Sequence, residues 1–211
     1  MPRVSGGVIA SCTGEINNQT AGYGFTARFQ ERKGNAIELR RERTIAVRGP
    51  KPEDFSFALR FPDRDYQQLL ADISIAILQS IHVGYDTFLV GMDKGFEILC
   101  GESARRLREI DESFKKIKVV GVLPRPGYEP RFGGEWKERF RALEGRLDET
   151  IYLAGHKENG VIPEKGRFMV AHADALLCYC NGKDAAVKSA VDAAIESGVR
   201  LINLANRIET G

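Results

Sequence analysis

The residues whose spacing is most suggestive of chemistry form a glycine-containing turn after a short apolar run. Thr87–Val90 is followed by Gly91, by Gly95 four residues later, and by the acid Glu97 two residues beyond that. Glycine permits a positive φ and lets a ligand approach the backbone, and the N-terminus of the next helix favours anions. The turn therefore indicates a binding loop whose acid could hydrogen-bond a ribose. An ordinary tight strand–helix connection with an acid at the helix start has the same pattern.

The spacing of this turn differs from that of two familiar phosphate-binding motifs. It does not follow G-x-G-x-x-G, and neither G-K-S nor G-K-T comes after Gly95, as a P-loop would require. The turn by itself thus points to a ligand site without naming the ligand.

The composition is that of a globular protein with little net charge. The chain has 211 residues, of which 43% are hydrophobic and 28% charged, and its formal net charge is +2. This balance gives no electrostatic case for a nucleic-acid partner. No apolar run has the length of a membrane span, and the first residues lack the apolar region of a secretory signal. We therefore expect a cytoplasmic protein without a membrane partner, and a homo-oligomer is compatible with the sequence.

The cysteines do not have the spacing of a metal site. The four are Cys12, Cys100, Cys178 and Cys180, and no C-x-x-C pair or matching histidine spacing accompanies them. Cys178 and Cys180 stand in an apolar run, where cysteine usually serves as a small buried hydrophobe. We predict neither a metal nor a resident cofactor.

From residue 44 onward, short β-prone runs alternate with amphipathic helical stretches. The predicted strands are 44–47, 87–90, 118–123, 150–153, 175–180 and 199–204. The predicted helices are 63–80, 95–114, 135–147, 164–172 and 185–197. This alternation implies an α/β fold with a mainly parallel sheet covered on both faces, over residues 44–211. Residues 1–43 lack the rhythm and are predicted to be an N-terminal extension, either a β-hairpin or a mobile tail.

In a parallel α/β sheet, ligands bind beyond the carboxyl ends of the strands. The loops predicted at that edge are 48–51, 91–97, 124–127, 156–167 and 181–184. Their cationic candidates for phosphate contact are Arg48, Lys51, Lys165, Arg167 and Lys183. Each of these could equally be a solvated surface charge.

The order of these motifs resembles the YpsA-like branch of the SLOG superfamily, which also holds the DprA proteins and the LOG-type cytokinin-activating enzymes. The matching segments are Arg48-Gly49-Pro50-Lys51, residues 88–97, Val122-Leu-Pro124 with the later Trp136, and residues 165–182. The resemblance covers residues 43–203 and implies a Rossmann-like three-layer sandwich. It also implies binding or sensing of a nucleotide or nucleotide-derived ligand of the NAD or ADP-ribose type. The implied ligand-binding residues are Arg48, Gly49, Lys51, Gly91, Gly95, Glu97, Lys165, Arg167, Asn181, Gly182 and Lys183.

The chain departs from the family pattern in three loops. The usual T-G-H-R is Arg48-Gly49-Pro50-Lys51 here, the arginine–asparagine pair is Lys165-Gly166, and the Gly-Gly-Thr phosphate loop is replaced by 182–186. LOG enzymes use a P-G-G-x-G-T loop with nearby Arg and Glu to cut an N-glycosidic bond. A LOG-like hydrolase is therefore the alternative function, with Glu97 its candidate catalytic acid. DprA-like binding of single-stranded DNA is a third, and it would need a basic groove with stacking aromatics.

Overall fold

The structure is a computed structural model that describes residues 39–157 and 160–205. In this part of the chain, six strands alternate with five α-helices. Their order is β1 (Thr44–Arg48), α1 (Arg64–His82), β2 (Thr87–Val90), α2 (Phe96–Ile110), β3 (Lys118–Leu123), α3 (Gly134–Glu144), β4 (Glu149–Tyr152), α4 (Lys165–Ala171), β5 (Ala175–Cys178), α5 (Ala185–Glu196) and β6 (Arg200–Asn203). The predicted α/β alternation is confirmed.

All neighbouring strands of the sheet run parallel, in the order β4-β3-β2-β1-β5-β6. The chain first adds strands on one side of β1 and then crosses to the other side with β5 and β6. The strand order therefore reverses between β1 and β5, where Arg48 is the register partner of Cys178. In open parallel sheets, this reversal opens a crevice at the carboxyl edge that commonly receives a ligand.

The helices cover both faces of the sheet and make three layers. Ile45 and Val47 of β1 face a core shared with α1, α2 and α3, and Ala46 faces a second core shared with α4 and α5. Successive strand residues point to opposite faces, so the nearly all-apolar strands β1, β2 and β5 can be buried on both sides. The expected three-layer, Rossmann-like arrangement is confirmed.

Two element ends differ from the predictions for local reasons. Helix α2 ends at Ile110 and not at 114, because Asp111 is extended and its side chain caps a short 3-10 helix, Glu112–Phe114. Strand β5 ends at Cys178 and not at 180, and the backbone N–H of Cys180 bonds instead to the side chain of Asn203, at 2.9 Å. The other elements lie within a few residues of the predicted bounds.

The prediction for residues 1–43 falls almost entirely outside the described residues, as does Cys12. Only its last part is described, where Leu39 is buried in the core with α4 and α5 and Arg41–Arg43 forms one 3-10 turn. Within the described ranges, no helix combines the length and apolar character that crossing a bilayer requires.

Candidate functional site

Four charged side chains from four segments meet above the carboxyl ends of β1 and β2. Arg48 is the last residue of β1, and Asp93 lies in the turn after β2. Glu97 stands in the first turn of α2, and Lys165 is the first residue of α4, which packs against β1. We call Arg48, Asp93, Glu97 and Lys165 the edge cluster.

Glu97 is the buried centre of the edge cluster, with no solvent exposure. Its Oε1 accepts a close hydrogen bond from Arg48 Nη1, and its Oε2 accepts the backbone N–H of Asp93 at 2.8 Å. Lys165 Nζ lies 3.9 Å from the same Oε2. Burial raises the pKa of Glu97, although the charges of Arg48 and Lys165 act in the opposite direction. Both carboxylate oxygens are thus used within the protein.

Asp93 and Lys165 form the outer part of the cluster, with side chains 35% and 17% exposed. Lys165 Nζ donates to Asp93 Oδ2 and to the carbonyl of Gly91, each at 2.7 Å. Burial would raise the pKa of Asp93, but attraction to Lys165 and Arg48 outweighs it and lowers that pKa. Asp93 is therefore an ionised acceptor that solvent, and hence a ligand, can reach.

Arg48 is held almost entirely out of water, with a side chain 4% exposed. Burial would lower the pKa of its guanidinium, but Glu97 and Asp93 reverse the effect and raise it. Its Nε is buried and finds no hydrogen-bond partner within the described residues. A buried donor without a partner costs stability, and one guanidinium group of the cluster thus remains incompletely satisfied.

The backbone of the turn is shaped around this cluster. A Cβ at Gly91 would overlap Glu97 Oε2 and lie 2.9 Å from Arg48 Nη1, so only glycine leaves room for the ion pair. Gly95 has a φ of +91°, and a Cβ there would lie 2.7 Å from the carbonyl of Pro50. Between them, the buried Met92 has a φ of +64°, which L-residues rarely adopt. Strain of this kind concentrates at functional sites.

The other predicted residues of the first and last loops lie beside the cluster, along the crevice between β1 and β5. Gly49 packs so closely on the ring of Phe96 that a Cβ would overlap it. Asn181 donates its side-chain N–H to the carbonyl of Asp54, 3.2 Å away, and this bond ties the loop after β5 to the loop after β1. Lys51, Gly182 and Lys183 are exposed on these loops.

Arg167 is the predicted residue that lies apart from the edge cluster. Its guanidinium points toward α5, with Nη1 3.8 Å from a carboxylate oxygen of Glu196. The side chain is 57% exposed. Arg167 therefore offers a charge-matched control for Lys165, only two positions away in the same helix.

Asp93 is the member of the edge cluster that the sequence analysis did not single out. It lies inside the predicted 91–97 turn, and its signal was the position of an acid two residues after the glycine that follows a buried strand. Asp93 pairs with Lys165, 72 residues later, and no local sequence pattern indicates this pairing.

The cluster balances two cations against two anions and presents one of the anions to solvent. It can accept hydrogen bonds from ligand hydroxyl or amino groups at Asp93. Within the described ranges, no three His, Cys, Asp or Glu side chains gather as a metal site would require. An open apolar groove of about 710 Å³ lies at the opposite edge of the sheet, near Leu78, Val83 and Phe114, and none of the predicted site residues lines it.

No known protein-family model matches the chain, and no curated protein is significantly similar to it. The resemblance to the SLOG superfamily accordingly rests on the motifs and their order in the sequence.

Proposed function

We propose that this chain binds a nucleotide or nucleotide-derived ligand, of the NAD or ADP-ribose kind, at the carboxyl edge of its sheet. We further propose that it is a ligand-binding or sensing member of the YpsA-like branch of the SLOG superfamily. The observation that carries the proposal is the buried ion pair of Arg48 with Glu97, which holds the partly exposed acid Asp93 beside the point where the strand order reverses.

The energetic cost of this arrangement supports a functional role. Replacing a buried ion pair by apolar residues is often neutral or stabilising, so such a pair is weak support for a purely structural purpose. Here the pair is accompanied by a left-handed Met92 and by an Nε of Arg48 that has no hydrogen-bond partner among the described residues. Several unfavourable features gathered at the carboxyl edge of a parallel sheet are typical of a functional site.

Each member of the cluster has a separate part in the proposed binding. Asp93 accepts hydrogen bonds from ribose hydroxyls, as an acid after a strand does in many nucleotide-binding sheets. Lys165 fixes the orientation of Asp93 by its 2.7 Å bond to Oδ2. Glu97 is a positioning residue, because it holds Arg48 and the backbone N–H of Asp93 and does not reach solvent.

A LOG-like N-glycosidic hydrolase is the alternative, and the raised pKa of Glu97 is the observation in its favour, since a general acid must hold its proton. The carboxyl is fully buried, however, and both oxygens are engaged. Asp93 is partly exposed, but its lowered pKa keeps it ionised and makes it a poor proton donor. We therefore favour binding over cleavage.

DprA-like binding of single-stranded DNA ranks third, because two aromatic side chains at the crevice are buried and packed against each other. Phe55 and Tyr179 are both buried, and their ring centroids lie 4.8 Å apart. Stacking on bases requires exposed ring faces.

A thermal-shift series tests the proposal. The ligands are NAD, ADP-ribose, AMP, adenosine and a short single-stranded DNA, and the proteins are the wild type, Lys165→Ala and Arg167→Ala. A ligand at a hundredfold excess over its Kd should stabilise the wild type by about 2.7 kcal/mol. We expect Arg167→Ala to keep this shift and Lys165→Ala to lose most of it.

Two results would overturn the proposal. One is that no adenine compound changes the unfolding temperature of the wild type. The other is that the ligand shifts the unfolding temperature of Lys165→Ala and Arg167→Ala equally. If chromatography detects free base released from AMP or NAD, the hydrolase alternative replaces the sensing function.

A further inference from the structure

Two of the helix N-termini around the edge cluster are already occupied by the protein's own carboxylates. At α4, Glu164 accepts the backbone N–H groups of Gly166 and Arg167 at 2.9 and 2.8 Å. At α5, Asp184 accepts those of Ala186 and Val187 at 2.8 and 3.1 Å. A phosphate that used either N-terminus would have to displace a carboxylate from the position that anions normally take.

The third helix that begins here, α2, uses a backbone carbonyl at its N-terminus and carries an acid in its first turn. Its first N–H, on Phe96, donates to the carbonyl of Pro50 at 3.3 Å. The buried carboxylate of Glu97 already lies in its first turn and provides the negative charge that this end of a helix favours. A phosphate at this end would meet like charge.

The cations of the cluster are likewise neutralised from within. Arg48 is paired with Glu97 and Asp93, and Lys165 is paired with Asp93. Lys51 and Lys183 are exposed on the flanking loops, where an ion pair with a phosphate is solvated and contributes little to affinity. The edge thus offers no buried, unneutralised cation to a phosphate among the described residues of the cluster.

The group that does remain open is an acceptor. Both ion pairs of Asp93 reach the same atom, Oδ2, at 2.7 Å from Lys165 Nζ and 3.4 Å from Arg48 Nη1. Among the contacts of the described residues, Oδ1 is the carboxylate oxygen left to accept from a ligand, on a side chain 35% exposed. A carboxylate selects hydrogen-bond donors, and the donors of a nucleoside sugar are its hydroxyls.

We infer that the site recognises the nucleoside part of its ligand through the sugar hydroxyls, and that phosphate groups stay in solvent. An unphosphorylated nucleoside then binds at least as tightly as its phosphates. This inference rests on the proposed function. It specifies that the ligand is recognised by its free ribose diol and that a phosphate group is not required.

Calorimetric titration of the full chain with adenosine, 2′-deoxyadenosine, AMP and ADP-ribose tests the inference without any substitution. Adenosine should bind with a Kd equal to or below that of AMP. 2′-Deoxyadenosine should bind about tenfold more weakly or worse, which is the loss expected when a hydrogen bond to a charged group is removed.

A variant pair tests the role of the capping carboxylate. Asp184→Ser keeps a residue that caps helices well and removes the negative charge, so the affinity for AMP should rise relative to that for adenosine. Asp192→Asn removes a charge from the outer part of the same helix, where Asp192 pairs with Lys188 at 2.9 Å, and it should leave that ratio unchanged.

The outcomes separate the two proposals. If AMP or ADP-ribose binds about tenfold more tightly than adenosine, or if 2′-deoxyadenosine binds as well as adenosine, the inference fails and nucleotide binding stands. If none of the four compounds binds, the proposed function itself fails.

Discussion

The carboxylate of Glu97 and the guanidinium of Arg48 form an ion pair whose side chains are 0% and 4% exposed. The two residues lie 49 positions apart, and their pairing joins the N-terminus of α2 to the end of the central strand β1. Because both charges are buried, removal of either side chain would leave the other as a buried charge without its partner.

Glu97→Gln should therefore destabilise the fold by about 3 kcal/mol or more, because it leaves Arg48 buried with only the more distant Asp93 as a charge partner. The double variant Arg48→Met with Glu97→Leu should be less destabilised than the sum of the two single variants, since it removes both buried charges. Urea unfolding of the wild type, Glu97→Gln, Arg48→Met, Glu97→Leu and the double variant measures these free energies. Additive effects would show that the two side chains do not interact.

Gly91→Ala should destabilise the chain and weaken ligand binding together. The added Cβ would overlap Glu97 Oε2, and overpacking of a filled site costs about 1–3 kcal/mol. Gly155→Ala is the matched control, because nothing lies within 4 Å of a Cβ at Gly155. Thermal unfolding of both variants, with and without adenosine, checks the prediction. Equal midpoints in the two variants would contradict the close approach at Gly91.

Asp93→Asn should weaken ligand binding by about tenfold, since a hydrogen bond to a charged acceptor becomes one to a neutral amide. Asp192→Asn removes an exposed acid elsewhere and should leave the affinity unchanged. Calorimetric titration with adenosine gives both values, and circular dichroism establishes that each variant is folded. An unchanged Kd for Asp93→Asn would show that a different group meets the ligand.

Tyr85 gives the fold a pH dependence at high pH. Burial, together with its 2.7 Å hydrogen bond to Asp174, raises the pKa of its phenol from 10.0 to about 12. Because the folded pKa is the higher one, this stabilisation is complete below pH 10 and is lost as the pH rises toward 12. The unfolding free energy of the wild type should therefore fall more steeply across this range than that of Tyr85→Phe. Parallel curves from urea unfolding at several pH values would contradict it.

The layout of the fold could be predicted because it depends on local patterns. Leu69, Ile73 and Ile77 recur at helical spacing and are fully buried in α1, and Asp63 caps the N-terminus of that helix. The apolar runs of β1, β2 and β5 are short and continuous, as expected of strands buried on both faces. Helical spacing and apolar runs depend on a few neighbouring residues, so the structure retains them.

The candidate site could be predicted only in part, because its contacts are made between distant segments. The sequence placed Arg48, Gly91, Glu97 and Lys165 at one edge, and the structure brings these four together. It could not show that Glu97 of helix α2 faces inward, since that depends on Arg48 at the end of strand β1. Nor could it show that Gly91 makes room for the protein's own ion pair, or that Asp93 is the acid that reaches solvent.

The most direct test of nucleotide binding at the edge cluster is a map of backbone amide chemical shifts as adenosine and ADP-ribose are added to the labelled full chain. We expect the largest changes on Gly91, Asp93 and Lys165, and no change on Leu78 and Val83 at the opposite edge. No change with either compound, or changes centred on the groove near Val83, would contradict it.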